Sequence, residues 1–250
     1  MQNSINYYYL KYIFRKVILS FLTKSKPMKK KNSVLFVINE RSCYFCKVKK
    51  SENTKHIILA EGLEMASHLG LENVTIGQLA LKTGLSKSGL FSHFRSKENL
   101  QIEILRFAAE DFKNYVLIPA LESRAGITRI KTLVNNWIAW GERLTGGCIF
   151  VTASIEYSGR PGEVRKVVLE QQKEWIESLE KIAQSAIKCG EFGSNVDVSQ
   201  FAYDLYSMLL GFHYYHRMLQ TKDVKEKQQK TFDNLLSDYL VKETYLKTKQ

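Results

Sequence analysis

Two very short stretches of helical pattern, joined by a glycine-containing turn and each opened by a hydroxyl residue, constrain this chain more than any other feature. The hydroxyl of Thr75 can accept from an orphan amide of the following turn, Ile76, Leu79 and Ala80 share one face, and Gly84 stops the segment. Leu85 closes the turn, Ser86 caps a second helix through Phe94, and Ser96 caps a third that carries Leu100, Ile104 and Phe107 toward Pro119. Upstream, a helix from about Thr54 to His68 places Ile58, Leu59, Leu63 and Ala66 on one side and ends at Gly70. Helices below about a dozen residues are marginal in water, so the two short ones must be held by their neighbours. Two such helices across a three- or four-residue turn have the form of a helix-turn-helix, which presents side chains to a DNA major groove about 12 Å wide. An ordinary three-helix hairpin of another all-α protein shows the same spacing, and pattern alone leaves both readings open.

Net charge does not decide between them. The formal charge is +12, but residues 1 to 56 hold 13 Lys and Arg against Glu40 and Glu52, a balance of +11, and the rest is nearly neutral. A claim of DNA binding therefore has to rest on local pattern rather than on overall basicity. The basic segment has its own possibilities. Ile5 to Leu22 is apolar and aromatic but interrupted by Lys11, Arg15 and Lys16, so it is a poor membrane span and stable membrane insertion is not expected. A basic arm of this kind can lie on an anionic membrane surface or reach DNA phosphates, and Met28 offers a second place for translation to begin. Residues 1–50 are read as a basic extension with no assigned function.

The four cysteines do not form a recognisable site. Cys43 and Cys46 make one Cys-x-x-Cys pair, whereas a structural zinc needs four ligands and no second pair stands at suitable spacing. No βαβ pattern supports a thioredoxin-like role, so reduced thiols are expected, with no metal and no cofactor. Cys148, His213 and Glu156 can be drawn as a nucleophile, base and acid, but nothing in the sequence fixes their geometry. There is no glycine-rich phosphate loop, nucleophile elbow or metal-ligand cluster, and no catalytic residue is expected.

From about residue 113 the helical pattern returns, over Ile127 to Leu144, Glu163 to Lys188, Ser199 to Leu219 and Lys225 to Leu240, with no strand pattern between. The fold class is all-α, in two domains divided as 51–112 and 113–250.

The run Thr75-Ile76-Gly77-Gln78-Leu79-Ala80-Leu81-Lys82-Thr83-Gly84-Leu85-Ser86-Lys87-Ser88-Gly89-Leu90-Phe91-Ser92-His93-Phe94-Arg95-Ser96-Lys97-Glu98-Asn99-Leu100 resembles the signature of the TetR family of transcription regulators. The Thr-capped helix, the Gly-x-Ser turn, the His-Phe pair and the Ser-Lys-Glu-x-Leu that follows carry it, over about Ser51 to Phe112. The resemblance implies an N-terminal helix-turn-helix domain on double-stranded DNA and a helical C-terminal domain that dimerises and binds a small-molecule effector. It implies a cytoplasmic bacterial protein acting at the nucleoid, in the family's habit a repressor released from a palindromic operator. A non-specific DNA-coating or membrane-surface protein acting through the basic arm is the rival reading.

Sorted by role, Lys87, Ser88 and Gly89 fall on the first turn of the recognition helix, where base edges are met. By resemblance Thr75, His93 and Lys97 face phosphate, while Thr75 and Ser86 also serve as caps. Phe91 stands where the family usually has tyrosine, which removes one hydroxyl from the phosphate contacts. Ala66 is small where the family commonly has an aromatic residue, and Leu90 and Phe94 are expected in the core. In the second domain, Gly146-Gly147-Cys148-Ile149-Phe150 and Ala186 to Asp197 are similar to a recurrent subtype. Trp137, Trp140, Phe150, Trp175, Tyr206 and His213 are candidate pocket residues, though at helical spacing they also fit a plain core. The last two helices, with Phe201, Leu205, Met208, Leu209 and Phe212 and then Phe232, Leu235, Leu236 and Tyr239, are the expected dimer interface.

Overall fold

In the computed structural model, residues 40–241 are described, with side chains from Thr54 onward. Expectations that fall on residues 1–39 and on the thiols of Cys43 and Cys46 lie outside the described residues, whereas residues 40–50, read as part of the extension, are helical. Among the described residues there is no strand, only an isolated antiparallel bridge between Phe192 and Leu240.

The first helix, α1, runs Glu40–Leu69 and so begins well before Thr54. Ile58, Leu59, Leu63 and Ala66 face the core as the spacing requires, and Gly70 ends the helix at φ +87°. A single turn of tighter helix, Leu71–Asn73, leads into α2, Ile76–Thr83. Gly84 closes α2 in the left-handed region at φ +69°, a conformation that costs glycine little, and α3 follows as Lys87–Phe94. The three expected caps form: Thr75, Ser86 and Ser96 accept from the amides of Gln78, Gly89 and Asn99 at 3.2, 3.1 and 3.0 Å.

Helix α4, Lys97–Phe112, does not continue in one register toward Pro119. It widens into a π turn over Lys113–Leu117 and resumes as the short α5, Ile118–Glu122. Proline lacks an N–H and its ring crowds the carbonyl four residues back, and a wider turn relieves both demands.

The remaining helices are α6 (Ile127–Arg143), α7 (Ile149–Glu156), α8 (Glu163–Lys188), α9 (Val198–Arg217) and α10 (Val224–Tyr239). Helix α7 was not foreseen, because Ile-Phe-Val-Thr-Ala-Ser-Ile-Glu is apolar nearly all round and carries no 3.6-residue stripe. Helix α8 is the spine of this half, packed against α4, α7 and α9. The Glu191 carboxylate accepts from the Ile127 amide at 2.6 Å, capping α6 from a distant loop.

The residues expected to form a dimer interface are largely used inside the protomer. Phe201, Leu205, Leu209, Phe212, Phe232 and Leu236 are buried in its own core, because α9 and α10 pack on each other and α9 packs on α8. The apolar residues left exposed on α9 and at its C-cap are others: Tyr203, Leu210, Tyr214, Tyr215 and Met218, of which Tyr203, Leu210, Tyr214 and Met218, spaced seven, four and four positions, share one stripe.

Candidate functional site

The recognition helix α3 is eight residues long and is positioned from below. Leu90 and Phe94 are fully buried, which turns Lys87, Ser88, Phe91 and Ser92 to solvent. Gly89 is half-buried, its amide bound to Ser86 and its carbonyl accepting from Ser92 at 2.7 Å. The hydroxyls of Ser86 and Ser88 lie 3.2 Å apart. Phe91 is 57% exposed, a large apolar ring presented to water beside polar groups.

Thr75 is occupied by its own helix, accepting from the Gln78 amide and donating to the Gln78 side chain at 3.1 Å. His93 is half-buried, its ring tilted against Phe94 with centroids 6.1 Å apart. Lys97 has a protein partner: its ammonium sits 2.6 Å from Glu72, which also accepts from the Tyr157 hydroxyl at 2.9 Å and faces Arg160 at 3.6 Å. The hydrogen bond from Lys97 holds the Glu72 carboxyl below the usual carboxylate range. Glu72, held by Lys97, thus ties the short turn before α2 to Tyr157 and Arg160 in the second half of the chain.

Sequence reasoning passed over two exposed cations on this surface, Lys82 at the end of α2 and Arg95 just after α3. The signal was present, since residues 75–97 contain four Lys and Arg and no acidic residue. With Lys97 paired to Glu72, the positive charge of Lys82, Lys87 and Arg95 still suits phosphate, and it is invisible in the nearly neutral charge of the body as a whole.

A partly open cavity of about 410 Å³ lies between α4, α6, α7, α8 and α9. Trp137, Phe150, Trp175 and Tyr206 line it. Trp140 and His213 do not. Trp140 is fully buried behind the wall, stacked on Phe150 at 5.7 Å and donating its indole N–H to Asp111 at 3.0 Å. His213 sits against the Gly147 backbone instead, and burial, with Arg217 and His216 nearby, holds its imidazole below the ordinary histidine range. Sequence reasoning also missed Phe112, Gln171 and Gln172 as lining residues. Gln171 and Trp175 are one turn apart on α8, so helical spacing from Trp175 pointed to Gln171.

Cys148 reaches the cavity wall but is 2% exposed, and burial pushes its thiol up to about 11. Both oxygens of Glu156 are engaged, accepting from the amides of Leu71 and Glu72 at 2.9 Å each. These two residues are poorly suited to act as nucleophile and acid. At pH 8 only about one Cys148 thiol in a thousand is a thiolate, from the gap between pH and thiol pKa. In native protein treated with iodoacetamide, peptide mass spectrometry should find exposed Cys189 alkylated and Cys148 protected until the chain unfolds; equal labelling of the two would contradict the buried wall.

Helix α7 connects the cavity to the half that carries the helix-turn-helix. Phe150 in its first turn forms part of the wall, and Glu156 in its last turn holds the turn before α2. The loop ahead of α7 is pinned as well: the Gly146 amide donates to Ser67 at 2.8 Å, Thr145 binds Glu64, and Arg217 donates to the Leu144 and Thr145 carbonyls. Among the described residues no group of three His, Cys, Asp or Glu could hold a metal ion, and no helix is long and apolar enough to cross a membrane.

Residues 58–104 match the family model described as bacterial regulatory proteins, tetR family, and residues 126–232 match the tetracyclin repressor-like C-terminal domain. No curated protein sequence matches the chain. Among solved structures, a TetR-family transcriptional regulator from Cytophaga hutchinsonii is 21% identical with a TM-score of 0.68, covering 77% of this chain and 98% of its own. A TetR transcriptional regulator from Chloroflexus aurantiacus J-10-FL is 23% identical with a TM-score of 0.67, covering 76% and 95%. AibR, solved in complex with isovaleryl coenzyme A and operator DNA, is 22% identical with a TM-score of 0.51, covering 62% and 85%.

Proposed function

The chain belongs to the TetR family, whose members are DNA-binding transcriptional regulators, and on that premise we propose that it is a homodimeric repressor released from a palindromic operator by a small-molecule effector. The observation that carries the reading is the recognition helix itself: buried Leu90 and Phe94 hold its first turn outward, with Lys87 and Ser88 exposed in a segment that bears only positive charge. Lys87 reaches guanine O6 or N7, Ser88 serves either kind of base, and Gly89 lets the backbone come close. Phe91 offers its ring to a sugar or a thymine methyl. Thr75, Ser86, His93 and Lys97 flank this surface, Lys97 with its ammonium paired to Glu72, and the exposed Lys82 and Arg95 add cations for phosphate.

A second copy covers the outer stripe of α9, Tyr203, Leu210, Tyr214 and Met218, through a bundle of four helices built from α9 and α10 of both protomers. Two recognition helices then enter successive major grooves about 34 to 36 Å apart. An effector in the cavity shifts Phe150 and α7, and Glu156 passes the shift to the turn before α2, changing that separation. Linkage makes the antagonism mutual, so operator DNA weakens effector binding by the same factor. AibR, crystallised with both a coenzyme A thioester and operator DNA, supports a fold that holds both kinds of partner. The site of action is the bacterial cytoplasm, at the nucleoid.

Selection from a library of random duplex DNA, at two salt concentrations, tests the reading. It should enrich a palindrome, and Lys87→Ala should weaken binding to that site about tenfold and relax one position in each half-site. Binding that depends on salt but enriches no site, and is lost when residues 1–50 are removed, would instead support a non-specific protein acting through its basic arm.

A further inference from the structure

The cavity wall carries information about what it holds. Its charged residues stand at the rim. Arg106 is 63% exposed and paired with Glu103 at 2.9 Å, Lys113 and Glu110 are exposed and face each other at 3.8 Å, and Glu170 and Glu174 are exposed. Inside, the polar groups are neutral. Gln172 is engaged through both its nitrogen and its oxygen, donating to the Phe150 carbonyl at 3.1 Å and accepting from the Tyr206 hydroxyl at 2.8 Å. Gln171 donates to the Leu105 carbonyl at 3.1 Å, but its side-chain oxygen is buried with no partner among the described residues. Trp175 is 8% exposed, and its indole N–H is likewise buried without a partner. One turn apart on α8, these two lining residues carry one unpaired acceptor and one unpaired donor on the same face of the helix.

A buried donor or acceptor left unpaired is costly, so a bound molecule that pairs both gains relative to water. A formal charge taken into this interior would meet no buried counter-charge and would lose its hydration. The rest of the wall is aromatic: Phe112 meets Phe150 and Trp175 edge-on, with centroids 5.6 and 5.1 Å apart, which leaves ring faces and edges for another flat ring.

We infer that the cavity takes an uncharged aromatic molecule bearing a donor and an acceptor on one edge, of the primary carboxamide type, its oxygen accepting from Trp175 Nε1 and its N–H donating to Gln171 Oε1. This rests on the reading of the chain as an effector-released regulator and specifies the effector's chemistry.

Calorimetric titration of the full chain with three ligands of one ring system tests it: 2-naphthamide, 2-naphthoate and 2-naphthyltrimethylammonium. The amide should bind at least about tenfold tighter than either ion, and Gln171→Leu and Trp175→Phe should each weaken it about tenfold, the latter while keeping a ring in place. Equal or tighter binding of either ion, no binding of the amide, or amide binding indifferent to both substitutions overturns the inference. DNA affinity measured with and without the amide separates the two claims. Amide binding that leaves DNA affinity unchanged upholds the ligand chemistry and refutes effector release, whereas release of DNA by one of the ions refutes the ligand chemistry and upholds effector release.

Discussion

Gly146→Ala should lower the melting temperature by roughly 6 to 12 °C, from about 3 kcal/mol of lost stability in a chain of this size. A Cβ at Gly146 would fall inside the carbonyl of Ser67, and would also stand 2.6 Å from the amide nitrogen of His68. Those atoms are the backbone of the last turn of α1 and cannot rotate away as the tip of a flexible side chain does. Either the loop lifts off α1 or the turn unwinds. Lifting the loop breaks the hydrogen bond from the Gly146 amide to Ser67 and pulls on the contacts of Thr145 with Glu64 and Arg217. Hydrogen exchange should therefore quicken at residues 144–148 and at the end of α1 together. A melting temperature within about 2 °C of the parent would mean that the loop accommodates a methyl group freely, and the close approach would lose its structural meaning.

The neighbouring Gly147 is needed for a different reason. Its φ of +93° lies in the region that L side chains avoid, and a Cβ there would stand 2.7 Å from Arg217 Nε. Two adjacent glycines thus answer two separate demands, a steric one at 146 and a conformational one at 147.

Phe94→Ala should cost about 3 to 5 kcal/mol, the range for emptying a fully buried aromatic site. Its functional effect should exceed that of Lys87→Ala, because α3 has only eight residues and no stability of its own to fall back on. With Phe94 gone, Leu90 alone anchors the helix, and the outward face loses its fixed orientation even where the rest of the chain stays folded. The expected result is loss of specific DNA binding with fast hydrogen exchange across residues 75–100, while the helices of the second half exchange as before. Phe94→Leu should recover most of both. If Phe94→Ala kept its operator affinity, the core beneath α3 would not be what positions it.

These two predictions differ in how far the sequence anticipates them. The spacing of Leu90 and Phe94 between a Ser cap and the next helix already marks them as the inward pair, since a helix fixes which residues share a face. The caps at Thr75, Ser86 and Ser96 were legible for the same reason: each acts on an amide three residues away, and the local chain contains both partners. The all-α architecture follows from that local information. Gly146 reads in the sequence only as half of a Gly-Gly pair, and nothing local shows that the end of α1, some eighty residues earlier, presses against it.

The pattern holds for the candidate sites. Trp137, Phe150, Trp175 and Tyr206 were named as aromatic residues at helical spacing, but aromatic character is common to walls and cores. Only packing separated those four from Trp140, stacked behind Phe150, and from His213, drawn to the Gly147 loop. Likewise the apolar residues of α9 were visible, but which stripe the protomer buries depended on where α8 and α10 lie. What the sequence by itself determined is what short-range geometry controls: the amphipathic helices, the caps at Thr75, Ser86 and Ser96, the inward pair beneath α3 and the exposed turn above it. What the tertiary structure alone decided is what depends on partners distant in the chain: the Glu156 clamp, the close approach at Gly146, the unpaired Gln171 and Trp175 groups, and the face left open on α9. The physical reason is that a hydrogen bond or a buried surface needs both its members, and the sequence shows them together only when they are a few residues apart.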